Sequence, residues 1–227
     1  MNKVLMYHSI GGSSGEVGSG LYSVSVEKFK EQMEYVKKST HAITFDDGLL
    51  DNYTLAYPIL KELALKAYFF ILVASVGEAG YMNWEQIRNL SHNGMIIGSH
   101  GMTHRILTNL REDKLDYEIC QSKTILETNL GIKINYFSVP RGFYNQKIIQ
   151  KIKEAGYKKV FTSAANEVGE FKVGRISIKA GWDLKRFISV LDRGLSLSEK
   201  AGEIFKDSSK KILGAVGYDR LRTRILK

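Results

Sequence analysis

A parallel β-sheet with helices outside it, open or closed into a barrel, is the fold class this sequence predicts. Three observations predict it. Short apolar runs rich in β-branched and aromatic residues alternate with longer segments of helical periodicity for most of the chain. Ala67 to Ala74 is continuously apolar, as in a strand buried on both faces. The chemistry-bearing residues fall where the strand runs end, the edge at which parallel α/β folds bind ligands.

The elements follow in order. Val4 to Tyr7 reads as the first strand and ends at His8; a Gly/Ser-rich loop from Gly11 to Gly20 follows. Ser25 caps a helix with Val26, Phe29, Met33 and Val36 on one face. His41 to Phe45 is the second strand. The next helix carries Leu55, Ile59, Leu60 and Leu63, and Pro58 interrupts it or marks a second start. Ala67 to Ala74 is the third strand. Trp84 to Leu90 is a short helix stopped at Gly94, and Met95 to Gly98 a fourth strand that delivers Ser99 and His100. Leu115, Ile119, Leu126 and Leu130 mark a long amphipathic helix with Gly131 past its end. Tyr136 to Val139 is a fifth strand, and Gln146 to Ala155 a helix that stops at Gly156. Tyr157 to Thr162 and Arg175 to Ile178 are the sixth and seventh strands. Asp183 to Leu191 and Ser198 to about Leu213 are predicted helices, so residues 1–182 form the barrel and 183–227 a basic helical extension packed on the same domain.

Composition bounds the function. The 227 residues suit one α/β domain. Cys120 is the single cysteine; it cannot form an internal disulfide and reads as a small buried apolar residue. The N-terminus turns polar too soon for a signal peptide, and no apolar run approaches the roughly 20 residues of a membrane span. The expected location is cytoplasmic. The net charge of +9 allows an anionic partner, but no nucleic-acid motif accompanies it. The charge crowds the C-terminus at Lys206, Lys210, Lys211, Arg220, Arg222, Arg224 and Lys227, which suits peripheral contact with an anionic membrane. No oligomeric state follows from the sequence.

Thr44-Phe45-Asp46-Asp47-Gly48 is the stretch the rest is arranged around. Two adjacent carboxylates repel each other, so a positive group is expected beside them, and a divalent metal is the economical one. The competing reading is a polar turn in which Asp47 caps the next helix. His100 and His104 lie on one side of the chain if their segment is a helical turn. They also sit at the end of another strand, where they can meet the Asp pair. One carboxylate and two imidazoles make a three-ligand site with an open position, the usual design of catalytic zinc. The second carboxylate is then free to act as a general base. His41 and His92 fall at the opposite ends of their elements and read as plain hydrogen-bonding groups.

These residues resemble the polysaccharide deacetylases, carbohydrate esterases with a NodB homology domain. Thr44-Phe45-Asp46-Asp47-Gly48, Ser99-His100-Gly101-Met102-Thr103-His104 and Phe137-Ser138-Val139-Pro140-Arg141-Gly142 look like the family's first three motifs. Trp84 and Leu107-Thr108-Asn109-Leu110 fit its habits, and Tyr7-His8 resembles the opening of the poly-N-acetylglucosamine deacetylase subgroup. The resemblance implies a distorted (β/α)7 barrel and hydrolysis of an N-acetyl group on an amino sugar. It makes Asp46 the general base, Asp47, His100 and His104 the metal ligands, and the Arg141 backbone N–H the oxyanion donor. Trp84, Pro140 and Tyr144 would bind the saccharide. One divalent ion is implied, zinc ahead of cobalt or nickel. Two other readings stay open: a non-catalytic carbohydrate-binding relative, and a hydrolase of another C–N bond such as a formyl group or a cyclic amide.

The chain departs from the family pattern in three places. Ser138 stands where many members have an arginine that steadies the base, and Arg141 stands where an aromatic residue is usual, as a candidate to supply that charge. The fourth motif is not recognisable between Tyr157 and Ile178. No histidine follows His104, so the family's late general acid is missing; by elimination His8 takes the role, since imidazole titrates near neutrality.

Overall fold

The computed structural model describes residues 2–12, 20–165, 167 and 169–202, with 205, 208 and 217 as single residues. The chain runs β1 (Val4–Tyr7), β2 (Ser9–Ile10), β3 (Ser23–Val24), α1 (Val26–Val36), β4 (Ala42–Phe45), α2 (Tyr57–Glu62), β5 (Ala67–Ile71), α3 (Trp84–His92) and β6 (Ile96–Ser99). It continues through α4 (Glu112–Asp116), α5 (Ser122–Leu130), β7 (Tyr136–Ser138), α6 (Gln146–Glu154), β8 (Lys159–Thr162), β9 (Lys172–Gly174), β10 (Ile176–Ser177) and α7 (Leu184–Arg193).

The main sheet has the order β10-β1-β4-β5-β6-β7-β8-β9. Every pairing in it is parallel. Its two edges, β9 and β10, are consecutive in the chain and separated only by Arg175. They are two halves of one strand, the first paired with β8 and the second with β1. The sheet is therefore a nearly closed barrel of seven strands, as the resemblance implied. The seventh strand begins at Lys172, earlier than the expected Arg175, and breaks at Arg175 because it changes partner there.

The strands alternate as a two-sided sheet requires. Phe45 of β4 stacks on Phe69 of β5 at 4.9 Å and on Tyr7 of β1 at 5.6 Å, on the side that the helices cover. Thr44 and Phe70 turn the other way and touch Arg175, which occupies the barrel axis. Gly98 of β6 keeps that interior open: a Cβ there would lie 2.6 Å from the Phe70 ring.

Three local expectations are corrected and one is borne out. The third strand ends at Ile71, and Val73–Ser75 is a 3₁₀ turn. Its Val73 and Ala74 N–H groups donate to the carbonyls of Gly101 and Met102 instead of extending the ladder. The second start expected at Pro58 is borne out: a π-helical turn, Asn52–Ala56, comes first, and α2 then begins at Tyr57 with Pro58 in its first turn, where a missing N–H costs least. Residues 101–104 form no helical turn, because Gly101 and His104 take positive φ, 83° and 60°. Cys120 is half-buried, with its thiol against Asp116, because it lies at the margin of the apolar face that Ile119 buries.

Helix α7 starts on Asp183, which caps Arg186 N at 2.7 Å, and buries Phe187, Val190 and Leu191. Each such side chain contributes about 1.5–3 kcal/mol. Phe187 meets Tyr35 of α1 edge-on. The expected helix from Ser198 is present to residue 202 and at 205 and 208; the seven basic residues lie outside the described residues, as do 13–19 of the Gly/Ser loop. Among the described residues no helix is long and apolar enough to cross a membrane.

Candidate active site

Four parallel strands bring their C-terminal ends to one rim. β1 delivers His8, β4 delivers Asp46 and Asp47, β6 delivers His100, and β7 leads to Pro140 and Arg141. The Asp pair is fixed by its neighbours. Asp46 N donates to Tyr7 O at 3.0 Å, and the loop after the pair is tied by Met82 N to Gly48 O and Leu50 N to Gly80 O. Asp47 and Gly48 both take positive φ, 75° and 73°. Among the described residues the positive-φ non-glycines are Asp47, Ala64, His104 and Arg141. Three of these four are predicted site residues, as expected where backbone strain serves a site.

Asp47, His100 and His104 each present one ligand atom, all within 4.8 Å of one another. Asp47 Oδ1 lies 3.4 Å from His100 Nε2 and 3.5 Å from His104 Nε2. These contacts are not ion pairs. Burial holds the His100 imidazole below its usual range, and burial followed by the nearby His100 pulls His104 down to about 3, so both rings are neutral. His100 Nδ1 donates to Ser138 O at 2.9 Å, which leaves the Nε2 lone pair facing Asp47. Both Asp47 oxygens are buried without a hydrogen-bond partner, and burial, then the Asp46 charge, push the Asp47 carboxyl well above its usual range. With both Asp47 oxygens lacking donors and the His100 lone pair turned toward them, the cluster lacks a positive charge at its centre. Nitrogen and oxygen donors in that number fit a divalent cation of the zinc type.

Asp46 is solved differently. Burial alone would raise its carboxyl, but the Arg175 charge, then His100 and the Arg175 hydrogen bonds, hold it well below the usual carboxylate range. Arg175 Nη1 donates to Asp46 Oδ1 at 2.7 Å and Nη2 to Oδ2 at 2.8 Å. Nη2 also donates to Ser138 Oγ at 2.7 Å, and Ser138 Oγ donates to Asp46 Oδ2 at 3.2 Å. The guanidinium that the Ser138 position lacks therefore arrives from the break in the seventh strand. Arg175 thus supplies the charge that was expected of Arg141, whose side chain is exposed. Sequence reasoning placed Arg175 only as a strand residue. The available signal was a charged residue inside an otherwise apolar strand, which must find a counter-charge when buried.

His8 reaches the rim beside Asp46. Its carbonyl accepts from Asn52 Nδ2 at 2.7 Å and its ring lies 5.2 Å from that of Tyr22. Its Nδ1 is buried and without a hydrogen-bond partner. Burial, opposed by Asp46, lowers the imidazole to about 4, so His8 is neutral at pH 7. The strand-end argument against His41 holds: its Nδ1 accepts from Lys3 N at 3.2 Å, at the opposite end of β1 and β4. His92 ends α3 and is exposed. Trp84 is half-buried on the core at the start of α3, capped by Asn83. Pro140 is buried and packs near Gly101 of the histidine loop. Tyr144 is half-buried, with Lys172 Nζ 5.8 Å from its ring. A second residue escaped the sequence reading: the buried Glu118, whose carboxylate accepts from Met102 N and Thr103 N.

Buried carboxylates and imidazoles gathered at the strand ends of a seven-stranded parallel barrel suit a hydrolase. A model of the polysaccharide deacetylase family matches residues 34–160, and this chain belongs to that family. YxkH of Bacillus subtilis, assigned provisionally to the same family, is 28% identical over 199 residues, 78% of this chain and 71% of its own. A peptidoglycan-N-acetylglucosamine deacetylase of Bacillus cereus is 31% identical over 54% of this chain; the match spans 55% of the relative's length. Among solved structures, the Streptococcus pyogenes deacetylase PplD in complex with acetate superposes with a TM-score of 0.76 and 24% identity, covering 84% of this chain and 98% of that one. That likeness shows the fold.

Proposed function

We propose that this protein hydrolyses the N-acetyl group of an amino sugar in a saccharide, releasing acetate, with Asp47, His100 and His104 holding one divalent ion, most fittingly zinc. The observation that carries the reading is the buried, unpartnered Asp47 carboxylate between two neutral imidazoles, with an ionised Asp46 alongside. The names of relatives that act on peptidoglycan support a saccharide rather than a small amide.

The ion supplies Lewis acidity, which makes water more acidic and draws charge from the acetyl oxygen. Asp46 removes a proton from the attacking water as its oxygen bonds the acetyl carbon. Arg175 and Ser138 hold that carboxylate ionised and aimed. The Arg141 N–H donates to the oxyanion. The C–N bond then breaks, and the departing nitrogen takes a proton from His8. The proton gained at Asp46 balances the one the amine takes. Because free His8 is neutral at pH 7, the proton that Asp46 takes from water must pass to His8 before His8 gives it to the amine, which returns both groups to their starting states. His8→Ala should lower turnover on the amide by roughly 10²–10⁴-fold. The loss should be much smaller on an activated phenyl ester, whose leaving group needs no proton. Near wild-type amide turnover in that variant would exclude His8 as the acid.

The reading is tested by incubating the zinc-loaded protein with N-acetylated and N-formylated chitooligosaccharides and assaying acetate, formate and free amine. Acetate with an equal amount of amine is expected. Formate alone would replace the acetyl reading, and saccharide binding without either acid would make the chain a binding relative.

The basic C-terminal stretch supports a substrate met at an anionic membrane surface, where each lysine or arginine contributes on the order of 1 kcal/mol. The protein should sediment with anionic vesicles at low salt and lose this when residues after Lys210 are removed. Equal sedimentation with neutral vesicles would contradict it.

A further inference from the structure

The segment between the two metal-binding histidines is held by a carboxylate that takes no part in the chemistry above. α4 and α5 are one rod interrupted by a π-helical turn, Tyr117–Gln121. Such a turn admits one residue too many for α-helical register and re-aims the side chains around it. Here Glu118 and Ser122 lie in the apolar stripe of Leu115, Ile119 and Leu126, and all five are buried.

Glu118 turns into the histidine loop. Its Oε2 accepts from Met102 N at 2.8 Å and Thr103 N at 3.0 Å, and its Oε1 accepts from the Thr103 hydroxyl. Gly101 N donates to Ser99 Oγ at 3.0 Å, and Ser99 Oγ lies 2.8 Å from Ser122 Oγ. Ser122 Oγ in turn donates to Glu118 O at 2.6 Å. Every backbone N–H between His100 and His104 is therefore satisfied by this network, and two of the three by one carboxylate. Successive N–H groups converging on an anion form a nest, a concave and rigid arrangement. The fit is close: a Cβ on Gly101 would lie 2.9 Å from Glu118 Oε2. From the other side, the Val73 and Ala74 N–H groups hold the carbonyls of Gly101 and Met102.

We propose that Glu118 is the positioning residue of the metal site: by gathering the Met102 and Thr103 amides it sets the path from His100 to His104, and so the separation of their Nε2 atoms. The inference rests on reading Asp47, His100 and His104 as the ligands. It goes beyond that reading because Glu118 touches neither ligand ring nor substrate. It acts by geometry, with its charge as a lesser contribution. A loop released from Glu118 leaves His104, already at positive φ, free to relax away from Asp47.

The test is zinc affinity, measured by competition with a chromophoric chelator, together with the visible spectrum of the cobalt-substituted protein. Wild type, Glu118→Gln, Glu118→Asp and Glu118→Ala are compared, each checked for fold by circular dichroism. Glutamine reaches as far, accepts both amides and can donate to Thr103, so it should bind zinc nearly as wild type with an unchanged cobalt spectrum. Aspartate keeps the charge but falls one methylene short. It and alanine should lose about 10- to 100-fold in affinity, the usual cost of removing an outer partner of a metal ligand, and shift the cobalt bands. Wild-type affinity in Glu118→Asp with loss in Glu118→Gln would overturn the positional account in favour of charge alone. Wild-type affinity in Glu118→Ala would remove Glu118 from the site altogether. If Glu118→Ala does not fold, the Gln and Asp pair decides. No zinc binding by the wild type would instead refute the ligand assignment itself.

Discussion

Asp46→Asn should lose turnover by roughly 10²–10⁴-fold while its zinc content stays at that of the wild type. The asparagine cannot take the proton of the attacking water. Asp46 Oδ2 already accepts from Arg175 and Ser138, which in the proposed reading leaves it as the base and not a ligand. The variant should also be less stable, because the buried Arg175 loses its counter-charge. Turnover must therefore be compared per folded, zinc-loaded chain. Zinc lost together with activity would make Asp46 a ligand and contradict the division of labour between the two carboxylates.

Arg175→Met should have the largest effect on the fold. It leaves the Asp46 carboxylate buried with no cation beside it, and breaking a buried pair in this way costs about 3–5 kcal/mol. The sign of the pH effect follows from the shift. Asp46 lies below its usual range in the folded protein, so its ionisation adds stability above the unfolded carboxylate pKa of about 4, and that stability is lost as the pH falls further. Without Arg175 this contribution disappears, and the Asp46 carboxyl rises. The acid limb of the turnover profile should move to higher pH. Arg175→Lys should fall between the two, since an ammonium restores charge but cannot donate to both carboxylate oxygens in the plane that the guanidinium uses. Denaturant midpoints and pH–rate profiles check both points. An unchanged midpoint in Arg175→Met would show that the ion pair contributes nothing.

The strand runs, the Asp pair and the two histidines were legible because each has a local cause: period-two apolar runs, adjacent carboxylates, a loop at a strand end. The barrel's closure came only from the family resemblance, since no local pattern shows one strand changing partners at Arg175. Arg175 and Ser138 were separated in sequence by the whole of α6 and β8, and no local pattern joins them. The i, i+4 spacing of His100 and His104 suggested a helix, whereas the structure uses a strained loop to the same end. Glu118 was hidden because its helical stripe was read for its apolar members. A carboxylate within such a stripe signals a buried acceptor that must find donors.

The central claim is that one divalent ion, held by Asp47, His100 and His104, is required for hydrolysis. Zinc is titrated into chelator-stripped protein while bound metal and acetate released from an N-acetylated chitooligosaccharide are measured together. The account predicts that acetate release is absent at the start, rises with bound zinc and saturates at one ion per chain. It also predicts that His100→Ala and His104→Ala do not reach that plateau. Full acetate release from verified metal-free protein would contradict it.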